Sequence, residues 1–288
     1  MGAVYRKELK AYFSNMTGYI AMAMILLMTS IFVKIYCFDS KYPTMEYALP
    51  TAAIILLLAI PILAMRSFAE ERRQKTDLLL YTLPISTTQI VLGKYFAMMT
   101  VLAVPTVVLM FYPLLLSLYG TVNILASYVS LLLFYLLAAA MTAICMFMSS
   151  LTESQVIAAV LGSATLILCY FAQLLAETLP TTALASYIAF TVVICLLWLV
   201  IYSFTKNYWV AFATAVVLEA ILLIVYMIKR SLFTGLFQKV VGKIALFDVF
   251  SASVGTQLFD LSTVIYFLSI SVLFSFLTIQ TVEKRRFS

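Results

Sequence analysis

Few residues in this chain could do chemistry, and fewer stand at useful spacing. There is no histidine, which removes histidine-ligated zinc, an axial haem histidine and every triad with an imidazole base. Cys37, Cys145, Cys169 and Cys195 lie far apart, none in a C-x-x-C pair and each in or at the end of an apolar run. That is the pattern of buried inert thiols. A Gly-Lys pair can close a phosphate-binding loop, but around Gly242 and Lys243 the required G-x-x-x-x-G-K followed by Ser or Thr fails. Ile244 follows the lysine, and Gly235 stands at the wrong spacing. The sequence therefore predicts no ATP site in this chain, and no motif supports nucleophilic or metal catalysis.

Two ionisable residues remain as intramembrane candidates. Glu219 sits in the middle of one apolar run and Lys34 near the end of another, and such a group is a functional candidate by default because its burial is costly. Glu219 reads either as a neutralised or helix-paired carboxyl, or as part of a substrate pathway or proton relay. Glu177, close to the end of its run, can reach water.

The elements that must position these residues are membrane helices. Of 288 residues, 65% are hydrophobic and 10% charged, against about 25% charged in an ordinary globular domain. So little polar surface cannot cover a soluble core. Apolar runs of the roughly 20 residues needed to cross a bilayer extend over Tyr19–Phe38, Ala48–Met65, Ile90–Tyr119, Asn123–Met148, Val156–Leu175, Leu184–Tyr202, Trp209–Ile228 and Leu261–Thr281. The expectation is an all-α integral membrane protein, a polytopic bundle of about eight transmembrane helices joined by short connections, forming one transmembrane domain over residues 1–288. The first run follows a charged segment, has no small-residue cleavage site after it and is followed by further spans, so it is not read as a removable signal peptide. Pro105 and Pro113 should bend the third run.

Lys and Arg collect on the cytoplasmic side of membrane proteins. With the N-terminus inside, the inner set is Arg6, Lys7, Lys10, Arg66, Arg72, Arg73, Lys75, Lys94, Lys206, Lys284, Arg285 and Arg286, and the outer set is Lys34, Lys41, Lys229, Arg230, Lys239 and Lys243. Both termini are therefore expected in the cytoplasm, with the chain in the cytoplasmic (inner) membrane. The net charge of +6 follows from this bias and requires no nucleic-acid partner.

Three segments lie outside the runs. In residues 4–16, Tyr5, Leu9, Tyr12, Phe13 and Met16 repeat at steps of three and four while Arg6, Lys7, Glu8 and Lys10 fill the other face, predicting an amphipathic helix on the inner leaflet. It is either an anchor alone or also a cradle for a cytoplasmic partner. In residues 66–89, Glu70 and Glu71 lie within a turn of Arg73 and Lys75, suiting a short solvated helix with mutual charge support. The apolar patch Leu78, Leu79, Leu80 and Tyr81 follows and ends at Pro84. Ser86 and Gln89 then form a capping box, with Ile85 and Ile90 at staple positions, starting the helix that feeds the third span. Charges alone would serve to enforce topology, but an apolar patch exposed beside them marks a contact site. In residues 231–256, Leu232, Phe233, Leu236, Phe237, Val240, Val241 and Ile244 make an apolar stripe, predicting one helix over Leu232–Phe250 in the outer interface. Its role is either a passive anchor, or a gate or docking surface on the outer side.

The stretch Arg66-Ser67-Phe68-Ala69-Glu70-Glu71-Arg72 through Leu79-Leu80 to Leu83-Pro84-Ile85-Ser86 resembles the cytoplasmic motif of type-2 ABC transporter permeases, especially the gliding-motility-type branch. The start, Arg6-Lys7-Glu8-Leu9-Lys10-Ala11-Tyr12-Phe13, is similar to that branch. So is the end, with Phe247-Asp248-Val249-Phe250, Asp260, Tyr266-Phe267 and Glu283-Lys284-Arg285-Arg286-Phe287. The resemblance implies helices paired as a dimer with a second permease, identical or not, and a coupling helix between spans two and three that docks into a separate ABC ATPase subunit. ATP and Mg would be bound by that subunit, with no cofactor in this chain. Family members usually have six spans, so the hairpin Leu184–Ile228 reads as an added pair or some runs are re-entrant.

Three functions compete at this point. One is ATP-driven export of a lipid, peptide or drug-like substrate. Another is ATP-driven mechanical action on an extracytoplasmic auxiliary membrane protein without net transport. The third is an ion-coupled secondary transporter using Glu219, which inverted repeats would favour. No clear internal repeat is present, and the cytoplasmic loop, which a secondary transporter does not need, favours the ATP-driven pair.

Overall fold

A computed structural model describes residues 1–39, 45–76, 85–120, 122–178, 180–205, 208–256 and 259–287. Among these residues every regular element is helical. In chain order they are α1 (Gly2–Ser14), α2 (Met16–Val33, continued by a π-helical turn Lys34–Asp39), α3 (Ala48–Ala52), α4 (Leu56–Ala64), α5 (Ala69–Arg73), α6 (Thr87–Leu109), α7 (Phe111–Leu116), α8 (Ile124–Leu151), α9 (Gln155–Thr178), α10 (Ala183–Thr205), α11 (Tyr208–Ile228), α12 (Leu236–Gly242), α13 (Leu246–Gly255) and α14 (Leu261–Phe287).

Six stretches are long and apolar enough to cross a membrane among the described residues: Met16–Asp39, Ala48–Arg73, Thr87–Leu116, Ile124–Leu151, Gln155–Thr178 and Leu261–Arg286. The third is broken at Met110 between α6 and α7, with Pro105 inside the first piece and Pro113 inside the second, where missing N–H donors weaken the helical ladder.

The chain divides into two compact units, one of Met1–Leu168 with Val249–Ser288 and one of Cys169–Asp248. In the first, α8 is the central helix. It packs along α14, α4 and α6, and α2 lies against α4 and α6. Leu131, Leu133, Leu137, Ala140, Met141 and Met146 on α8 are fully enclosed, as an interior helix that is apolar on all sides should be. Asp260 precedes α14 and accepts from the Ser262 N–H at 2.9 Å and the Thr263 hydroxyl at 2.9 Å. The Ser262 N–H, followed by the Thr263 hydroxyl, holds its carboxyl below the usual range.

The second unit is built on the antiparallel pair α10 and α11. Here the structure corrects the expected continuous helix over Leu232–Phe250: the segment is a 3-10 turn Arg230–Phe233, then α12, then α13. Gly235 takes φ +68°, a left-handed conformation that suits glycine and that a helix cannot run through. The stripe is consequently divided. Phe233 is buried and stacks edge-on against Phe190 and Tyr226, while Leu232 and Ile244 stay exposed.

Candidate functional site

The charged segment that ends the second span-length stretch is held at both ends. Phe68 and Ala69, at the start of α5, carry N–H groups with no partner inside the helix. The buried Ser149 hydroxyl of α8 lies 3.3 Å from each nitrogen and 3.2 Å from the Met65 carbonyl oxygen, accepting from the first two and donating to the third. At the other end Thr76 N–H donates to Glu71 O at 2.9 Å and Lys75 N–H to Arg72 O at 3.0 Å, with Lys75 at φ +56°. This pattern is a Schellman motif. Ser149→Ala leaves those donors without an acceptor at a buried site, so a loss of about 1–3 kcal/mol is expected, read by thermal unfolding of the solubilised protein.

α5 is not the solvated, self-supporting helix expected from its sequence. Ala69 and Arg72 are buried, Arg72 Nη1 donates to Thr152 O at 3.4 Å, and the glutamates pair elsewhere. Glu70 takes a two-point contact from Arg66, Nε to Oε2 at 2.6 Å and Nη2 to Oε1 at 2.8 Å, while Arg66 Nη1 reaches Thr17 Oγ1 at 3.2 Å. Glu71 turns inward, with Oε2 at 2.9 Å from Lys94 Nζ and Oε1 at 3.0 Å from Lys7 Nζ. The physical reason is that Arg66, one turn before Glu70, and the cations that α1 and α6 bring to Glu71 lie at closer range than Arg73 and Lys75.

Lys94 is the hub of this arrangement. Its side chain is 1% exposed, and the three protons of its ammonium are matched by Glu8 Oε1 at 2.9 Å, Glu71 Oε2 at 2.9 Å and Ser67 O at 2.6 Å. Nζ also lies 5.1 Å from the centre of the Phe68 ring. A buried lysine stays charged only when opposed and hydrogen-bonded in this way.

The N-terminal helix supplies Glu8, and its orientation differs from the expected one. Glu8 belongs with Val4 and Tyr12 to the buried face, while Tyr5, Leu9 and Phe13 are half-buried beside it. The 3.6-residue period alone admits both rotations, and the partner at Lys94 selects this one. α1 crosses α6 closely at Gly93, where an added Cβ would stand 3.2 Å from the Val4 side chain. Tyr5 Oη lies 2.9 Å from Thr100 Oγ1, and Tyr12 Oη donates to Leu63 O at 3.4 Å. Burial, reinforced by the Glu8 carboxylate, keeps the Tyr12 phenol above its ordinary range.

At the base of α6 the Ser86 hydroxyl accepts from Gln89 N–H at 3.3 Å, so the helix starts at the predicted cap. Arg286 of α14 donates to Ile85 O at 3.1 Å, and Arg285 to Leu151 O at 3.1 Å. Of the predicted contact residues, Arg73 is exposed on α5. Leu78, Leu79, Leu80, Tyr81 and Pro84 lie outside the described residues.

The two intramembrane candidates are far from this cluster in sequence. Lys34 is exposed in the π-helical turn, at the end of a groove of about 510 Å³ along α2 lined also by Leu27, Ser30 and Ile31. Glu219 lies on α11, where Tyr187 Oη donates to its Oε1 at 2.7 Å and Thr191 Oγ1 lies 3.0 Å from the same oxygen.

In the sequence Lys94 stands only among the inner-side charges. One signal did mark it, since it is the sole charged residue between Asp77 and Glu153. Ser149 carried none.

The family model for the ABC-2 family transporter protein matches residues 10–175. The α10–α11 hairpin falls beyond the matched stretch. Among curated proteins none matches the chain.

Proposed function

Because the chain belongs to the ABC-2 transporter family, and so is a multi-pass membrane permease subunit working with an ABC ATPase, we propose that it exports a substrate across the cytoplasmic membrane, driven through residues 66–89. The observation that carries this reading is the Lys94 cluster. Glu71 on α5, Glu8 on α1 and Lys94 on α6 are fastened by contacts of 2.9 Å, so α5 cannot move without the start of α6 and the N-terminal helix. Work delivered to a permease by an outside ATPase needs such a rigid attachment between the contact element and the spans.

In this reading ATP and Mg are bound by the ATPase subunits, a second permease completes the dimer, and the α10–α11 helices, of 23 and 21 residues, add two spans to the six. The gliding-motility branch is favoured by the sequence at the two ends of the chain. An auxiliary protein outside the membrane would meet the segment from Arg230 to Gly255. Export is tested by reconstituting the permease with its ATPase in vesicles and following ATP-dependent movement of candidate lipids and peptides; ATP-dependent movement in the opposite sense would overturn it.

In the same reading both termini and residues 66–89 face the cytoplasm, because Lys and Arg collect there. A single cysteine introduced as Gln74→Cys, at an exposed position after α5, is expected to resist an impermeant maleimide in intact cells and to react in inverted vesicles. Reaction from outside intact cells would reverse the topology.

A further inference from the structure

We propose that the α10–α11 hairpin holds a binding site for a lipophilic protonated amine, with Glu219 as its counter-ion. A cavity of about 360 Å³ runs along the hairpin, lined by Thr191, Trp198, Tyr208, Phe212, Val216 and Glu219 among others. Its two ends differ in chemistry. At one, Glu219 Oε1 is occupied by Tyr187 Oη at 2.7 Å and by Thr191 Oγ1 at 3.0 Å, whose single proton is shared with Tyr187 O at 3.1 Å. Glu219 Oε2 is enclosed and accepts from no donor among the described residues. At the other end three aromatic rings cluster, Trp198 edge-on to Tyr208 with centroids 6.1 Å apart and Tyr208 parallel to Phe212 at 5.9 Å.

A carboxylate with one oxygen tied down and the other enclosed without a donor lacks a cationic N–H, and such a bond is among the stronger that a carboxylate makes. The walls are apolar and aromatic, and they suit the hydrocarbon or aryl part of the same molecule while adding cation–π attraction near the rings. Between Tyr208 and Glu219 the helix rises about 16 Å at about 1.5 Å per residue. The ligand must therefore be amphiphilic and elongated, with its charge at Glu219 and its apolar body toward Tyr208. One carboxylate and two hydroxyls make a poor set for a divalent ion, which prefers six or more oxygens with several carboxylates. The volume is within the range of small-molecule sites. The site requires no transport step and stands whether or not the chain exports anything.

The probe is tritiated imipramine, a protonated tertiary amine on a propyl arm from a tricycle of two aryl rings joined through a seven-membered ring, bound to the full chain in lipid nanodiscs with empty nanodiscs as the blank. Iminodibenzyl, the same ring system without the amine arm, is the neutral competitor. Saturable imipramine binding is expected, with iminodibenzyl competing at least about tenfold more weakly. Glu219→Gln, which keeps the acceptor for Tyr187 and Thr191 but removes the charge, should weaken imipramine by about 30-fold and leave iminodibenzyl unchanged. Phe212→Ala, which leaves the carboxylate alone, should weaken both compounds by about threefold or more. Equal affinity for the two compounds, unchanged affinity in Glu219→Gln or in Phe212→Ala, or binding no greater than in empty nanodiscs would overturn the proposal. So would a stoichiometric protein partner released by Glu219→Gln in a chain that binds no amine, because the carboxylate would then belong to a helix–helix contact.

Discussion

Replacing Lys94 by methionine is expected to destabilise the solubilised protein by about 3–5 kcal/mol, the cost of breaking a buried ion cluster from one side. The side chains of Glu8 and Glu71 are only 10% and 14% exposed, and without the ammonium two carboxylates and the Ser67 carbonyl are left around the space it filled. Neither can turn to bulk water, because Glu8 is fixed on a helix that Gly93 allows against α6 and Glu71 sits on a helix closed at both ends. Fluorescence-detected size-exclusion after heating should show a fall of the midpoint on the order of 10 °C. Two comparisons separate charge burial from general damage. Lys7→Ala removes an ammonium that is 60% exposed, so its effect should stay below about 1 kcal/mol. The triple replacement of Lys94, Glu8 and Glu71 by Met, Leu and Met takes all three charges away together and should recover most of the loss, since apolar side chains of similar volume fill such sites about as well. A Lys94→Met midpoint equal to that of the native chain would show that the cluster is hydrated and structurally unimportant.

The outline of the molecule was legible in the sequence because a membrane helix is specified by length and apolarity alone. Six of the runs correspond to stretches long and apolar enough to span, and α10 and α11 occupy the remaining two. The Ser86 cap was legible for the same kind of reason, since a capping box is local chemistry between residues three apart. The charges were harder. Glu8, Glu71 and Lys94 stand 63 and 23 residues apart, and nothing local says that they converge. Short-range rules paired Glu70 and Glu71 with Arg73 and Lys75, whereas the shortest contacts come from Arg66 on the same segment and from Lys7 and Lys94 on two other helices. The same limit applied to the N-terminal helix: its period was right, but an isolated charged residue on the inward face looks wrong until its partner is known. The break at Gly235 has a visible cause, because glycine takes a positive φ at little cost, although the apolar spacing of Leu232, Phe233, Leu236 and Phe237 runs across it unbroken. At Glu219 depth in an apolar run was enough to mark the residue, but the Tyr187 and Thr191 hydroxyls that occupy one of its oxygens came only from the antiparallel pairing.

The position of Glu71 changes how the coupling role must be tested. A Glu70, Glu71 to Lys double change would bring a new cation against Lys94, so its failure would be collapse of the α1–α5–α6 joint and would say nothing about an ATPase. Two other changes avoid the residues that form that joint. Arg73 is exposed at the end of α5, and Leu79 belongs to the apolar run Leu78 to Tyr81, outside the described residues. If residues 66–89 dock the ATPase as proposed, Leu79→Asp places a charge in the apolar docking area, and Arg73→Glu reverses the sign of an exposed charge that sets its register. A buried interface hot spot costs about 2 kcal/mol or more when lost, roughly 30-fold in affinity, whereas a rim charge acts mainly on association rate and salt dependence. Both variants are therefore expected to insert and to melt like the native chain. Leu79→Asp should lose copurification of the ATPase and its stimulation in the reconstituted complex, while Arg73→Glu should retain binding at low affinity with an altered dependence on salt. The decisive quantity is the ATPase rate of the reconstituted complex. If Leu79→Asp supports the full, substrate-responsive rate while remaining stably folded, force reaches the spans through some element other than residues 66–89, and the fastening of α5 to α1 and α6 serves stability alone.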